Sequence, residues 1–237
     1  MSASAVQDEI KKDSLRGWLS WSIVALFFFL DYCLKNSIGA LGSTLMNDFD
    51  MSYEQFGQIS AAFPLAYLVL QIPAGILVDK YGPRWLITGA SLTCAIGCLL
   101  FAKADSYSAM LVGRALIGTG AAFSLVTCSK IAAIWFPPRR FAFLFGIMIM
   151  IAFTGAFLGM RSIIPVIDYF GWQDTMYLTA LVFVIFSVLM AIIIRDTVDG
   201  TPYKTEGDQT IIGLLKEILV VMTSKQSWLL ALFAGLM

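Results

Sequence analysis

Hydrophobic residues in this chain come in long runs, with short polar stretches between them. Six runs are long enough to cross a hydrocarbon core roughly 30 Å thick, which takes about 20 helical residues. They lie near Trp18–Met46, Tyr53–Val78, Trp85–Ala104, Tyr107–Phe136, Phe141–Pro165 and Trp172–Ile194. A seventh starts near Trp228 and reaches Met237 about ten residues later, roughly half the core thickness at 1.5 Å per residue. The pattern predicts an all-α membrane protein: a cytoplasmic tail over 1–16, a six-helix bundle over 17–194, a hydrophilic linker over 195–227 and a truncated seventh helix over 228–237. A chain of this form is expected to be a fragment, or a truncated product that needs another half.

Within the linker, "TIIGLLKEILVVMTS" repeats Ile211, Leu215, Ile218, Leu219 and Met222 at helical spacing, with Lys216 and Glu217 facing away. The stretch is too short to be comfortable as a span. A helix lying in the cytoplasmic interface fits it, as does a helix packed on the cytosolic face without lipid contact.

Composition agrees with the runs. Of 237 residues, 59% are hydrophobic and only 14% charged, where a soluble domain carries about 25%. The net charge is zero, so nothing points to nucleic acid. There is no histidine, no nucleophile–base set and no phosphate loop, which argues against an enzyme and leaves no cofactor or metal implied. Cys33, Cys94, Cys98 and Cys128 all sit in apolar runs and read as small packing residues. The polar start, "MSASAVQDEIKKDSLR", lacks the order of a secretory signal. With that end in the cytoplasm, Lys11, Lys12, Arg16, Lys80, Arg84, Arg139, Arg140 and Arg195 all fall inside, while the outer loops hold Lys103 among five acids. The bias predicts a cytoplasmic N-terminus in a plasma or inner membrane.

Charge inside the bilayer is the anomaly. Asp31 and Lys35 sit within "FFFLDYCLKNSIGALGSTLM", and Arg114 within span four. At roughly 100° per residue, Asp31, Lys35, Gly39 and Gly42 share one face, as do Arg114, Gly118, Ala121 and Leu125. An Asp or Lys at mid-bilayer costs about 2.5–3.5 kcal/mol, so such groups usually face a water-filled cavity. Asp31 and Lys35 are also in register to neutralise each other. Arg161, near the outer end of span five, is placed to snorkel. Even without it, Asp31 is the sole acid against Lys35 and Arg114, which leaves an excess positive charge that a small organic anion would balance.

The loop after span two reads "GILVDKYGPRW". Gly75, Asp79, Gly82 and Arg84 match the G-x-x-x-D-[RK]-x-G-[RK]-[RK] signature of the major facilitator superfamily, with Pro83 the one departure. Gly82 permits a tight turn, Gly75 a close neighbouring helix. Asp79 is suited to a helix N-terminus, and Arg84 anchors the loop on the cytoplasmic face. "GRALIGTGAA", "WFPPRRFA" and "FGWQDTMY" resemble further segments of that superfamily, and "GQISAAFPLAYLVLQIPAGILVDKYGPR" is similar to its anion:cation symporter branch. "VIDYFGW" echoes "LVDKYG" in a D-x-x-G core, as inverted three-helix repeats would. Gly155 and Gly159 form a G-x-x-x-G packing contact in span five.

The resemblance implies a secondary transporter working by alternating access, with a site at the bilayer midplane between two halves. The first half and the start of span seven are represented here, so the partners implied are a small anion, protons, the lipid bilayer and the missing C-terminal half. Aligning "YCLK" with the branch's Y-x-D-R places Tyr32 and Lys35 on substrate positions, and Arg114 on its span-four arginine. The branch's two acids fall on Leu34 and Ala121, leaving Asp31 as the proton-coupling candidate. Asp79 and Arg84 would work a cytoplasmic gate. A peptide, siderophore or amphiphilic substrate, or a non-transporting scaffold, stays open as an alternative.

Overall fold

The computed structural model describes residues 14–197, all helix and connecting turn; the linker helix and the seventh run lie outside the described residues. Among the described residues, six helical spans are long and apolar enough to cross a membrane. We call the side on which span one begins the near side.

Span one is not one helix. It is α-helical over Leu15–Ser37, tightens into a 3-10 turn over Ile38–Leu41, and resumes as a short α-helix over Gly42–Asp48. The break rotates the face expected to be continuous: Gly39 is exposed with open space around it, whereas Gly42 lies 3.1 Å (as a built Cβ) from the Phe56 ring.

The other spans start and stop on recognisable chemistry. Span two, Tyr53–Tyr81, opens on a capping box in which Ser52 and Gln55 bond reciprocally at 3.2 and 3.0 Å. Span three, Pro83–Ala102, begins on the proline that departs from the loop signature, because proline at the first helical position removes an N–H that has no partner anyway. Ser106 caps span four, Tyr107–Trp135. Span five, Pro138–Phe170, runs past Pro165, where the hydropathy pattern ended it; helices in membranes tolerate an internal proline when neighbours satisfy the freed backbone. Span six is Trp172–Ile193.

Gly82 and Gly171 close spans two and five with almost the same backbone, φ/ψ of 84/160° and 83/161°. The two D-x-x-G echoes therefore make the same turn, in a region open essentially only to glycine.

Span four sits among spans one, two and three. Spans three and six are tied by buried hydroxyls that donate across the interface to backbone carbonyls, Ser91 to Phe183 at 2.7 Å and Ser187 to Thr88 at 3.1 Å. On the far side Trp172 donates to Asp48 at 3.0 Å and packs edge-on against Phe49 and Phe101.

Candidate functional site

Asp31 and Lys35 lie four residues apart, yet the structure parts them. Asp31 is 2% exposed, and neither carboxylate oxygen has a hydrogen-bond partner. Ser124 of span four lies beside it, but that hydroxyl donates to the Ala121 carbonyl at 2.6 Å. Lys35 is half-buried and holds its ammonium 5.2 Å from the centre of the Tyr32 ring, a cation–π contact. Four residues advance a helix by about 40°. That is enough to leave Asp31 inside the bundle and Lys35 at its edge, so the mutual neutralisation their spacing allows does not occur.

Arg114 is also 2% exposed. Its Nη1 donates to the Leu34 carbonyl at 3.3 Å and its Nη2 to the Lys35 carbonyl at 3.5 Å, while Nε has no partner. The guanidinium lies 5.3 Å from the Phe63 ring centre. Span two comes this near because Gly118 has no side chain: a Cβ there would collide with the Phe63 carbonyl. Arg114 and Lys35 thus meet at one turn of span one, through the Lys35 main chain.

Sequence reasoning passed over the span-two wall of this site. Phe63 stacks on Tyr67 at 6.4 Å, and Gln71 donates to the Tyr67 hydroxyl at 3.5 Å. Tyr32 closes the opposite wall, edge-on to Phe28 at 4.8 Å. The signal was present: Phe63, Tyr67 and Gln71 recur every four residues.

Two apolar recesses flank span one elsewhere. One of about 200 Å³ lies against spans five and six, beside Cys33, Ile163 and Phe183. The other, about 580 Å³, lies against span five beside Trp21, Phe29 and Ile151. Neither is lined by Lys35, Tyr32 or Arg114. Arg161 is exposed, consistent with a snorkelling position.

On the near side, Arg84 does anchor the loop, and the anchor is the end of span six. Its Nε and Nη2 both donate to the Ala191 carbonyl at 3.0 and 2.6 Å, where the helix dipole presents partial negative charge. Its backbone N–H donates to Asp196 Oδ1 at 2.8 Å. Asp79, expected at a helix N-terminus, pairs with Lys130 of span four at 2.8 Å. Gly75, expected to admit a close helix, has ordinary room: a Cβ there would stand 3.9 Å from Val126. Asp196 and Lys130 were not legible as partners, since both contacts join segments far apart in sequence.

The sequence profile of the Major Facilitator Superfamily matches residues 23–237. The chain belongs to that superfamily. Among curated relatives, it is 27% identical over 156 residues to a hexuronate transporter of Escherichia coli, covering 66% of this chain and 36% of that protein. It is 23% identical over 196 residues to a galacturonate transporter of Dickeya chrysanthemi, covering 83% and 57%. It is 35% identical over 117 residues to a nitrate/nitrite transporter of Picosynechococcus, covering 47% and 21%. The chain therefore spans between about a fifth and somewhat over half of the length of these relatives, each of which is named as a transporter.

Proposed function

We propose that this chain is the first half of a secondary transporter that carries a small organic anion, a hexuronate-like sugar acid, by alternating access. The observation that carries the reading is the meeting of Lys35 and Arg114 at one turn of span one while the nearby acid, Asp31, neutralises neither. Two cations without an acid form a site for a carboxylate, whose two oxygens suit a guanidinium fork. Tyr32 holds the Lys35 ammonium toward the anion, and Tyr67 and Gln71 supply hydroxyl and amide groups for a polyhydroxy substrate. The names of the relatives, transporters of hexuronates, galacturonate and nitrate, support an anionic cargo.

Asp31 carries the proton in this reading. Ser124 directs its own proton at Ala121, so it offers Asp31 only a lone pair, which a carboxylic acid can use and a carboxylate cannot. The near side is cytoplasmic, and Gly75, Asp79, Gly82 and Arg84 belong to the gate that works against the second half.

Binding and uptake of D-galacturonate by the reconstituted full-length transporter, with both halves present, test this. Lys35→Ala should weaken binding about tenfold or more, the worth of one hydrogen bond to a charged group. Unchanged affinity in that variant, or wild-type protein that takes up a neutral sugar equally well, would overturn it.

A further inference from the structure

We infer that Arg114 is a latch on span one: it holds the break at Ile38–Leu41 until a bound carboxylate draws the guanidinium away. The inference rests on the anion site proposed above and adds a motion to it.

The two carbonyls that Arg114 touches are not arbitrary. Leu34 and Lys35 lie in the last turn of the α-helix that ends at Ser37, directly before the 3-10 turn. In a continuous α-helix these carbonyls would accept from the N–H groups of Ile38 and Gly39. The α-helix runs through Ser37, so the Ile38 N–H still reaches Leu34. The change to i→i+3 bonding weakens the next pairing, Gly39 to Lys35, and leaves the Lys35 carbonyl looking for a donor. Arg114 supplies it and a second bond to Leu34, which also accepts from Ser37 Oγ at 2.9 Å. The guanidinium therefore favours the broken form of the span. Without it, the Lys35 carbonyl favours the N–H of Gly39, and hence the continuous helix.

The hold is weak by the standard of a charged donor. Bonds of 3.3 and 3.5 Å are long beside the roughly 2.7–2.9 Å of a charge-assisted N–H···O pair, and Nε is left unbonded. A carboxylate reaching the site beside Lys35 offers shorter bonds to the same fork. When Arg114 leaves, Leu34 still has Ser37, so release does not strand that buried acceptor. Anion binding then shifts the far segment, Gly39 to Asp48, relative to the rest of the bundle.

Gly39 is a suitable reporter because a side chain there meets nothing within 4 Å. The experiment places Gly39→Cys in a Cys33→Ala background, where the remaining cysteines are buried, and measures maleimide labelling of the reconstituted protein with and without D-galacturonate. Binding is followed separately by thermal shift. In the otherwise wild-type protein, galacturonate should change the labelling rate at least about twofold, the lower bound for exchanging one net hydrogen bond. Arg114→Gln should label at the ligand-bound rate from the start and respond no further. Ser37→Ala, which removes one donor from Leu34 but leaves the Lys35 carbonyl to Arg114, should bind galacturonate and keep a response of wild-type size. Binding without any labelling change, or Arg114→Gln labelling at the ligand-free wild-type rate, overturns the latch and leaves the anion site standing. An equal response in Arg114→Gln overturns the latch and also takes Arg114 out of the anion site. Failure of the wild-type protein to bind galacturonate overturns both.

Discussion

Gly159 of span five lies against Cys33 of span one so closely that a single added carbon would collide with the Cys33 carbonyl and stand 2.5 Å from its Cα. One turn earlier, a carbon at Gly155 would stand 2.5 Å from the Phe29 carbonyl. The G-x-x-x-G pair is therefore the surface on which span five meets the segment that carries Asp31 and Tyr32.

Gly159→Ala should destabilise the bundle by about 1–3 kcal/mol, the usual cost of forcing a group into a filled interface. Gly146→Ala, on the same helix but with nothing within 4 Å of its Cβ position, should be neutral or slightly stabilising. Thermal unfolding of both variants in detergent checks the difference, and equal melting temperatures would contradict the close crossing.

Gly82 and Gly171 separate two costs that usually come together. Both need a φ near +84°, so replacing either with alanine strains the backbone by about 1–3 kcal/mol. Only at Gly82 would the added carbon also strike a neighbour, Asp196 Oδ1 at 2.7 Å. Gly82→Ala should therefore cost more than Gly171→Ala, and the excess should shrink in an Asp196→Ala background. A double-mutant cycle of melting temperatures measures this coupling; additivity within about 0.5 kcal/mol would place Asp196 elsewhere.

Arg84→Lys tests the tether to span six. Lysine keeps the charge but loses the two converging N–H groups that share the Ala191 carbonyl. The expected loss is about 1 kcal/mol of stability, accompanied by faster proteolysis after Ile194. A variant with wild-type protection would show that the backbone bond from Arg84 to Asp196 suffices.

The number and order of spans could be read from hydropathy because the requirement is blunt: each helix must bury its backbone in hydrocarbon for some 20 residues. Local breaks are subtler. "NSIGALGS" carries the glycines and serine that allow the 3-10 turn, but a long apolar run masks them. Pro165 misled in the opposite direction, since the lipid phase removes the competing option of an open turn. In the site, residue types were legible and their partners were not. The i,i+4 spacing of Asp31 and Lys35 describes an isolated helix, whereas burial against span four decides which of them turns inward. The partners of Arg114 are backbone carbonyls, and those leave no mark in sequence.

Asp31 carries the sharpest remaining consequence. A carboxylate sealed in the bundle with both oxygens unpaired is costly, and the same group as an acid can donate to the Ser124 lone pair. Asparagine keeps the shape and donates to that oxygen without a proton in exchange. Asp31→Asn should therefore fold at least as well as wild type, gaining up to about 1–3 kcal/mol wherever the wild-type group is ionised. Galacturonate affinity at fixed pH should be nearly unchanged, because the proposed binding groups are Lys35 and Arg114. Accumulation should change: on the proposed function, proteoliposomes of the full-length wild-type transporter should concentrate the anion when the outside is acidic, and the variant should only equilibrate it. If the variant still concentrates galacturonate under an inward proton gradient, the proton travels by another group, and Asp31 has only a structural part.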